Sequence, residues 1–134
     1  MITTVKAHQK FLRQTPRKLR LVAQSFKNLP LNQALSRLDF IDKRAARLLK
    51  PVVIQAQKNA INNAHLQPDS LTVSAITVDA GPIIKRWQPV SRGRAHSILK
   101  RTSHLTVTVT GLTQTVKTAA KPATVEPAKT KKVK

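Results

Sequence analysis

The sequence predicts an α+β fold. Three observations carry that expectation. Apolar residues recur at helical spacing between about 16 and 64. Leu105, Val107 and Val109 alternate with Thr106, Thr108 and Thr110, which is the period of a half-buried strand. A basic stretch from Gly81 to Thr110, which runs through the last strand-like segment, holds not a single acid.

In chain order, residues 2–12 read as a short strand. Thr15-Pro16 then opens a helix: Thr15 can cap the free amides, and Pro16 suits the first helical position. Leu19, Val22, Ala23 and Phe26 form its apolar stripe, with Arg17, Arg20, Gln24 and Lys27 on the other side. Asn28 and Pro30 end it. A second helix is expected over 32–39, burying Ala34, Leu35 and Leu38. Asp42 is read as the cap of a third, running to about Ala64 with the stripe Ala45, Leu49, Val52, Ala56, Ala60 and Ala64. Its exposed side carries Lys43, Arg44, Arg47 and Lys50. Pro51 interrupts it, at a cost of about 3 kcal/mol. The stripe continues across the proline, so one kinked helix is expected, with two helices meeting at Lys50 as the alternative. Gln67-Pro68-Asp69-Ser70 is a turn, 71–79 a strand and 103–110 another. From Gly111 onward the composition shifts to Lys, Thr, Ala, Pro and Val without periodicity, so 112–134 is read as a disordered basic tail.

Composition narrows the partners. The chain has 134 residues, with 25 Lys and Arg against five acids, for a net charge of +20. Such a chain repels itself until a polyanion neutralises it. Its aromatics are Phe11, Phe26, Phe40 and Trp87 alone, so the core must be built from Leu, Ile, Val and Ala. The absence of cysteine excludes disulfides and thiolate metal sites. No apolar run approaches the ~20 residues of a membrane span, and MITTVKAHQK lacks a signal-peptide core. A soluble intracellular protein is expected.

Residues 80–104 read AGPIIKRWQPVSRGRAHSILKRTSH. A loop this long is functional or disordered, and Ile83, Ile84, Trp87, Ile98 and Leu99 argue against disorder. The symmetric reading is a β-hairpin rooted near Asp79 and Ser103, with its tip at Ser91-Arg92-Gly93-Arg94. Gly93 supplies the positive φ of a tight turn. Twelve residues per arm would reach on the order of 40 Å. An isolated two-stranded ribbon is marginal in water, so phosphate is expected to hold its arginines.

These residues carry a resemblance. The run Val78 to Val107, VDAGPIIKRWQPVSRGRAHSILKRTSHLTV, resembles the signature of the universal L-twenty-two family of large-subunit ribosomal proteins, in its bacterial or organellar form. RQTPRKLRLVA, Arg13 to Ala23, resembles the family's first-helix motif, and KNAINNA, Lys58 to Ala64, the end of its long helix. Order and spacing agree from about Val5 to Thr110. The resemblance implies a three-stranded antiparallel sheet packed against three helices, with a long protruding β-hairpin. It implies a structural role, not an enzymatic one. Members bind large-subunit rRNA and aid early assembly. Their globular part sits near the peptide exit, and the hairpin tip lines the nascent-peptide tunnel. Carried over by position, the tip is Val90, Ser91, Arg92, Gly93, Arg94 and Ala95. The candidate rRNA-binding residues are Arg13, Arg17, Lys18, Arg20, Lys85, Arg86, Trp87, Arg92, Arg94, Lys100, Arg101, Ser103 and His104. The implied partners are rRNA, neighbouring large-subunit proteins and the nascent peptide, with no membrane. The location would be the large subunit in the cytoplasm or an organelle matrix. An rRNA-binding domain would cover 1–111. Around 51–57 the chain is about one turn longer than the family pattern; one turn preserves the helix face, but contacts there are not carried over.

Other readings are weaker on the residues themselves. Trp87 could stack on a base or pin the two arms together, and base or sugar contact is the favoured use. Asn59, Asn62 and Asn63 serve equally well as helix-end caps or RNA contacts. His8, His65, His96 and His104 lack metal-ligand spacing, and neither metal nor cofactor is expected. Asp79, Ser103 and His104 could suggest a catalytic triad; a hydrogen-bonded hairpin root is the simpler account. A DNA compactor fits the charge. An RNA-processing enzyme lacks paired carboxylates, and a membrane-surface binder lacks a bulky apolar helix face.

Overall fold

Alternation in the last strand organises the molecule. Leu105, Val107 and Val109 are fully buried, while Thr106, Thr108 and Thr110 are half-exposed on the other face. The computed structural model describes residues 2–113. Its elements are β1 (Ile2–Leu12), α1 (Pro16–Gln24), α2 (Leu31–Phe40), α3 (Arg44–Asn62), a 3-10 turn (Pro68–Ser70), β2 (Thr72–Pro89) and β3 (Ala95–Leu112). The strands form one antiparallel sheet in the order β1-β3-β2. The hairpin pairs β2 with β3 locally, which leaves the other edge of β3 for β1. Three helices and a three-stranded antiparallel sheet are present as the sequence predicts.

The core lies between the sheet and the helices. α1 contributes Leu19, Val22 and Ala23, and Phe26 follows it; α2 contributes Leu31, Ala34 and Leu38. α3 contributes Ala45, Ala46, Leu49, Val52, Val53, Ala56 and Ala60. Its small residues allow close approach to β1 and β3. This burial, at about 25 cal/mol per Å2, offsets the lost backbone bond at Pro51, so α3 runs unbroken through the proline. The two-helix alternative is therefore set aside. Of the four aromatics only Phe26 is buried; Phe11, Phe40 and Trp87 are exposed.

Two expected caps are replaced. Thr15 makes no side-chain cap bond; its carbonyl instead accepts from the Lys18 and Leu19 amides. The α3 cap position is Lys43, not Asp42, whose carboxylate accepts from Arg47 Nη2 at 2.8 Å. A competing guanidinium is a stronger partner for Asp42 than a backbone amide. α3 ends at Asn62, with Leu66 N–H donating to Ala60 O across a left-handed His65. The free edge of β2 is covered at its start, where the amides of Asn28 and Leu31 donate to Val73 O and Leu71 O. The expected tail, 112–134, lies outside the described residues apart from its first two. Leu112 completes β3 and Thr113 bridges Leu66, so the sheet passes the expected limit at Gly111.

Beyond the sheet, β2 and β3 continue as a two-stranded arm. The root is a bulge: register shifts between Ala80↔Ser103 and Ile83↔Arg101, leaving Gly81-Pro82 opposite Thr102. Asp79 and Ala80 still belong to the three-stranded part. The free arm is therefore shorter than the 40 Å expectation, with seven register pairs from Ile83↔Arg101 to Pro89↔Ala95, roughly 25 Å before the turn. Arg92 and Gly93 both have positive φ, 60° and 68°, as the central residues of a type I′ turn require. The sequence marked only Gly93 for that role.

Gly81 meets a close approach. A Cβ there would lie 2.5 Å from Thr102 Oγ1 and 3.2 Å from the Thr102 carbonyl carbon. Thr102 Oγ1 is itself pinned, donating to Pro82 O at 2.6 Å. Gly81→Ala is expected to break that bond and lower stability by about 1–3 kcal/mol. Urea titration would show it as a lower midpoint with an unchanged slope. Thr102→Ala in the same chain should restore part of the loss.

Candidate nucleic-acid interface

Three consecutive side chains fix the root of the arm. Thr102 fastens it to β2 through Pro82 O. Ser103 Oγ donates to Gln14 O at 2.9 Å, tying β3 to the segment before α1. His104 Nδ1 accepts from the Phe11 amide at 3.1 Å, tying β3 to β1. Ser103 is completely buried. Its position therefore corrects the expectation of a surface contact: the hydroxyl is spent inside the fold. With Ser103 and His104 bonded to Gln14 and Phe11, the Asp79-His104-Ser103 grouping is a strand-pairing feature and not a triad.

This root aims cations from three parts of the chain at one place. Arg13 comes from the segment before α1, Arg44 from the start of α3, and Arg86, Lys100 and Arg101 from the two strands of the arm. Together with Ile84 and Thr102 they line an open concavity of about 390 Å3. Among the described residues, no carboxylate pairs with any of these five. The acids that do form ion pairs take cations of α3: Asp42 holds Arg47 and Asp39 holds Lys50. Arg47 and Lys50 are thus partly neutralised, while the concavity keeps its full charge. Five cationic residues lining one hollow with no acid among them favour an anion there.

The remaining expected residues separate into groups. Arg17 and Lys18 sit with Leu21 and Gln24 on the outer face of α1, forming a second basic patch. Arg20 is partly committed: its Nε and Nη2 donate to Val78 O at 3.0 and 2.7 Å, fastening α1 to the edge of β2. Lys85 pairs across the arm with Leu99 and is exposed. Trp87 faces the small Ser97 and is 68% exposed, which leaves the indole free for a ligand. Arg92 and Arg94 are exposed at the tip with Ser91 and Gly93, beside Ala95; Val90 is half-buried and its amide donates to Arg94 O. Arg44 belongs to the concavity but was read from sequence only as part of an exposed helix face. No local signal links residue 44 to residues 86 and 101; the sheet-to-helix packing does that.

Comparison with known proteins decides the family. A profile described as "Ribosomal protein L22p/L17e" matches residues 7–110. The chain belongs to the ribosomal protein L22p/L17e family. It is a structural constituent of the large ribosomal subunit and not an enzyme. It is 43% identical over 104 residues to the large ribosomal subunit protein uL22 of Mesoplasma florum (strain ATCC 33453 / NBRC 100688 / NCTC 11704 / L1), covering 78% of this chain and 93% of that protein. This identity supports the bacterial branch of the L22p/L17e family. The matched span contains the arm, all of β2, β3 up to Thr110 and all five cations of the concavity. No described helix is long and apolar enough to cross a membrane. Among the described residues no group of His, Asp and Glu could hold a metal.

Proposed function

We propose that the chain binds large-subunit rRNA through the cationic concavity at the root of the arm. The arm then reaches between rRNA segments, which aids early assembly. The observation that carries this reading is the convergence of Arg13, Arg44, Arg86, Lys100 and Arg101, unneutralised, around one hollow. A phosphate backbone presents the matching array of anionic oxygens. Arg17 and Lys18 on α1 extend the contact, and Trp87 adds base or sugar stacking along the arm. The rRNA-binding domain is residues 1–111 together with the last two described residues. Neighbouring large-subunit proteins are further partners, and the site of action is the ribosome of a cytoplasm or organelle matrix. Binding of the full chain to a large-subunit rRNA transcript across a salt series tests this. Affinity is expected to fall steeply with salt, by about 0.7–0.9 in logarithmic slope per phosphate contact. A flat salt response would overturn the reading.

The same reading places Val90, Ser91, Arg92, Gly93, Arg94 and Ala95 against the nascent peptide at the tunnel wall, with the helical part near the peptide exit. The tip is the part of the arm farthest from the core, and its turn presents two guanidinium groups on four residues. Arg92→Glu with Arg94→Glu is expected to alter arrest-peptide release or macrolide response in ribosomes carrying it. The salt slope of rRNA binding should stay within about 1 of the unmodified chain. Normal arrest and normal drug response together would remove the tunnel assignment.

A further inference from the structure

We propose that Phe11 and His104 form a stacking platform for one unpaired base of the rRNA. The proposal rests on the rRNA reading above and names a contact within it. β1 bulges at Lys10 and Phe11, the two residues between Gln9↔Leu105 and Leu12↔Ser103. His104 is the single residue of β3 opposite them. Phe11 has a φ of 58°, where the Cβ of a bulky L residue crowds its own backbone and glycine or asparagine sits with less strain. The core makes no use of the ring, which is 61% exposed. Its ring contact is His104, edge-on, with centroids 5.0 Å apart and planes at 85°. The positive φ and the apolar ring left in water add nothing to the core, while His104 both ties β3 to β1 and stands edge-on to that ring. Strain of this kind points to function.

His104 Nδ1 accepts from the Phe11 amide at 3.1 Å. On its other side, Nε2 lies 3.3 Å from where a Gly81 Cβ would be. The imidazole thus bonds to the β1 bulge and lies close to Gly81 at the root of the arm, with the Phe11 ring edge-on to it. Lys10 and Arg13 flank the ring in sequence and are exposed. Arg13 also lines the cationic concavity. A nucleotide whose phosphate rests on Arg13 therefore has an aromatic face two residues away for its base. Aromatic rings beside cations are how proteins hold unpaired bases. The surrounding positive charge favours a nucleic acid over a protein partner here.

Phe11→Gly separates this role from a structural one, because glycine relaxes the left-handed backbone while removing the ring. In filter binding of the full chain to a large-subunit rRNA transcript, Phe11→Gly is expected to weaken affinity about ten-fold or more. Its salt slope should match the unmodified chain, since stacking releases no counterions. Its thermal midpoint should be unchanged or higher. Phe11→Asn, which also tolerates positive φ, should behave alike, and Phe11→Trp should bind within about three-fold of the unmodified chain. Binding by Phe11→Gly and Phe11→Asn at the unmodified affinity, or equal weakness of Phe11→Trp, would overturn the platform. A changed salt slope would do so too, by assigning the loss to phosphate. If the unmodified chain itself showed no salt-dependent affinity, the rRNA reading would fall first.

Discussion

Reversing two charges at the root of the arm, Arg86→Glu with Arg101→Glu, is expected to weaken rRNA binding by about a hundred-fold or more. Both residues line the concavity with Arg13, Arg44 and Lys100, and neither has an acidic partner among the described residues. A charge-assisted hydrogen bond contributes about 1.5–3 kcal/mol. Losing two of them gives the hundred-fold figure, since about 1.4 kcal/mol is a factor of ten, and placing two carboxylates against phosphate adds repulsion. The logarithmic salt slope should fall by about 1.4–1.8, two contacts' worth. The fold should survive, because both side chains are exposed. Circular dichroism of the variant would confirm that before binding is measured. A comparable variant on α3, Arg47→Glu, should have a smaller effect, because Asp42 already takes part of that charge at 2.8 Å. Equal losses from the two variants would mean that net charge, and not the concavity, drives binding.

Phe26→Ala is expected to have the largest effect on stability. Phe26 is fully buried and is the largest side chain in the core. Truncating a buried phenylalanine costs about 3–5 kcal/mol through lost transfer energy and the cavity left behind. A domain of this size stands only about 5–15 kcal/mol above its unfolded state. The thermal midpoint should therefore drop by about 15 °C or more. Phe40→Ala is the matched control: Phe40 is 89% exposed, and its loss should change stability by no more than about 0.5 kcal/mol. Calorimetry of the two variants side by side would show the contrast. Similar midpoints would mean that the α1-to-core packing is misassigned.

That pair of phenylalanines also measures what could be read from the sequence. Leu19, Val22, Ala23 and Phe26 fall on one helical stripe, so burial of Phe26 follows from spacing. Phe40 sits at the end of α2, where periodicity places little constraint on the last turn. In the same way Ala45, Leu49, Val52, Ala56 and Ala60 were legible, but the helix cap was not. Asp42 lies five residues from a guanidinium that outbids the amides for its carboxylate, a contest that cap preferences alone do not decide.

By itself the sequence determined the elements whose cause is local. Hydrophobic period set three helices and the alternating β3. Gly93 marked the hairpin tip, and the acid-free basic run pointed to a polyanion as partner. Tertiary structure alone decided what depends on residues far apart in the chain meeting in space. It buried Ser103 against Gln14 and gave Arg20 to the carbonyl of Val78. It brought Arg44 to a concavity shared with Arg86 and Arg101, and set Phe11 in a bulge against His104. Periodicity records which side of its own element a residue faces. It carries no information about which other element arrives there, and the charge density of the interface depends on that arrival.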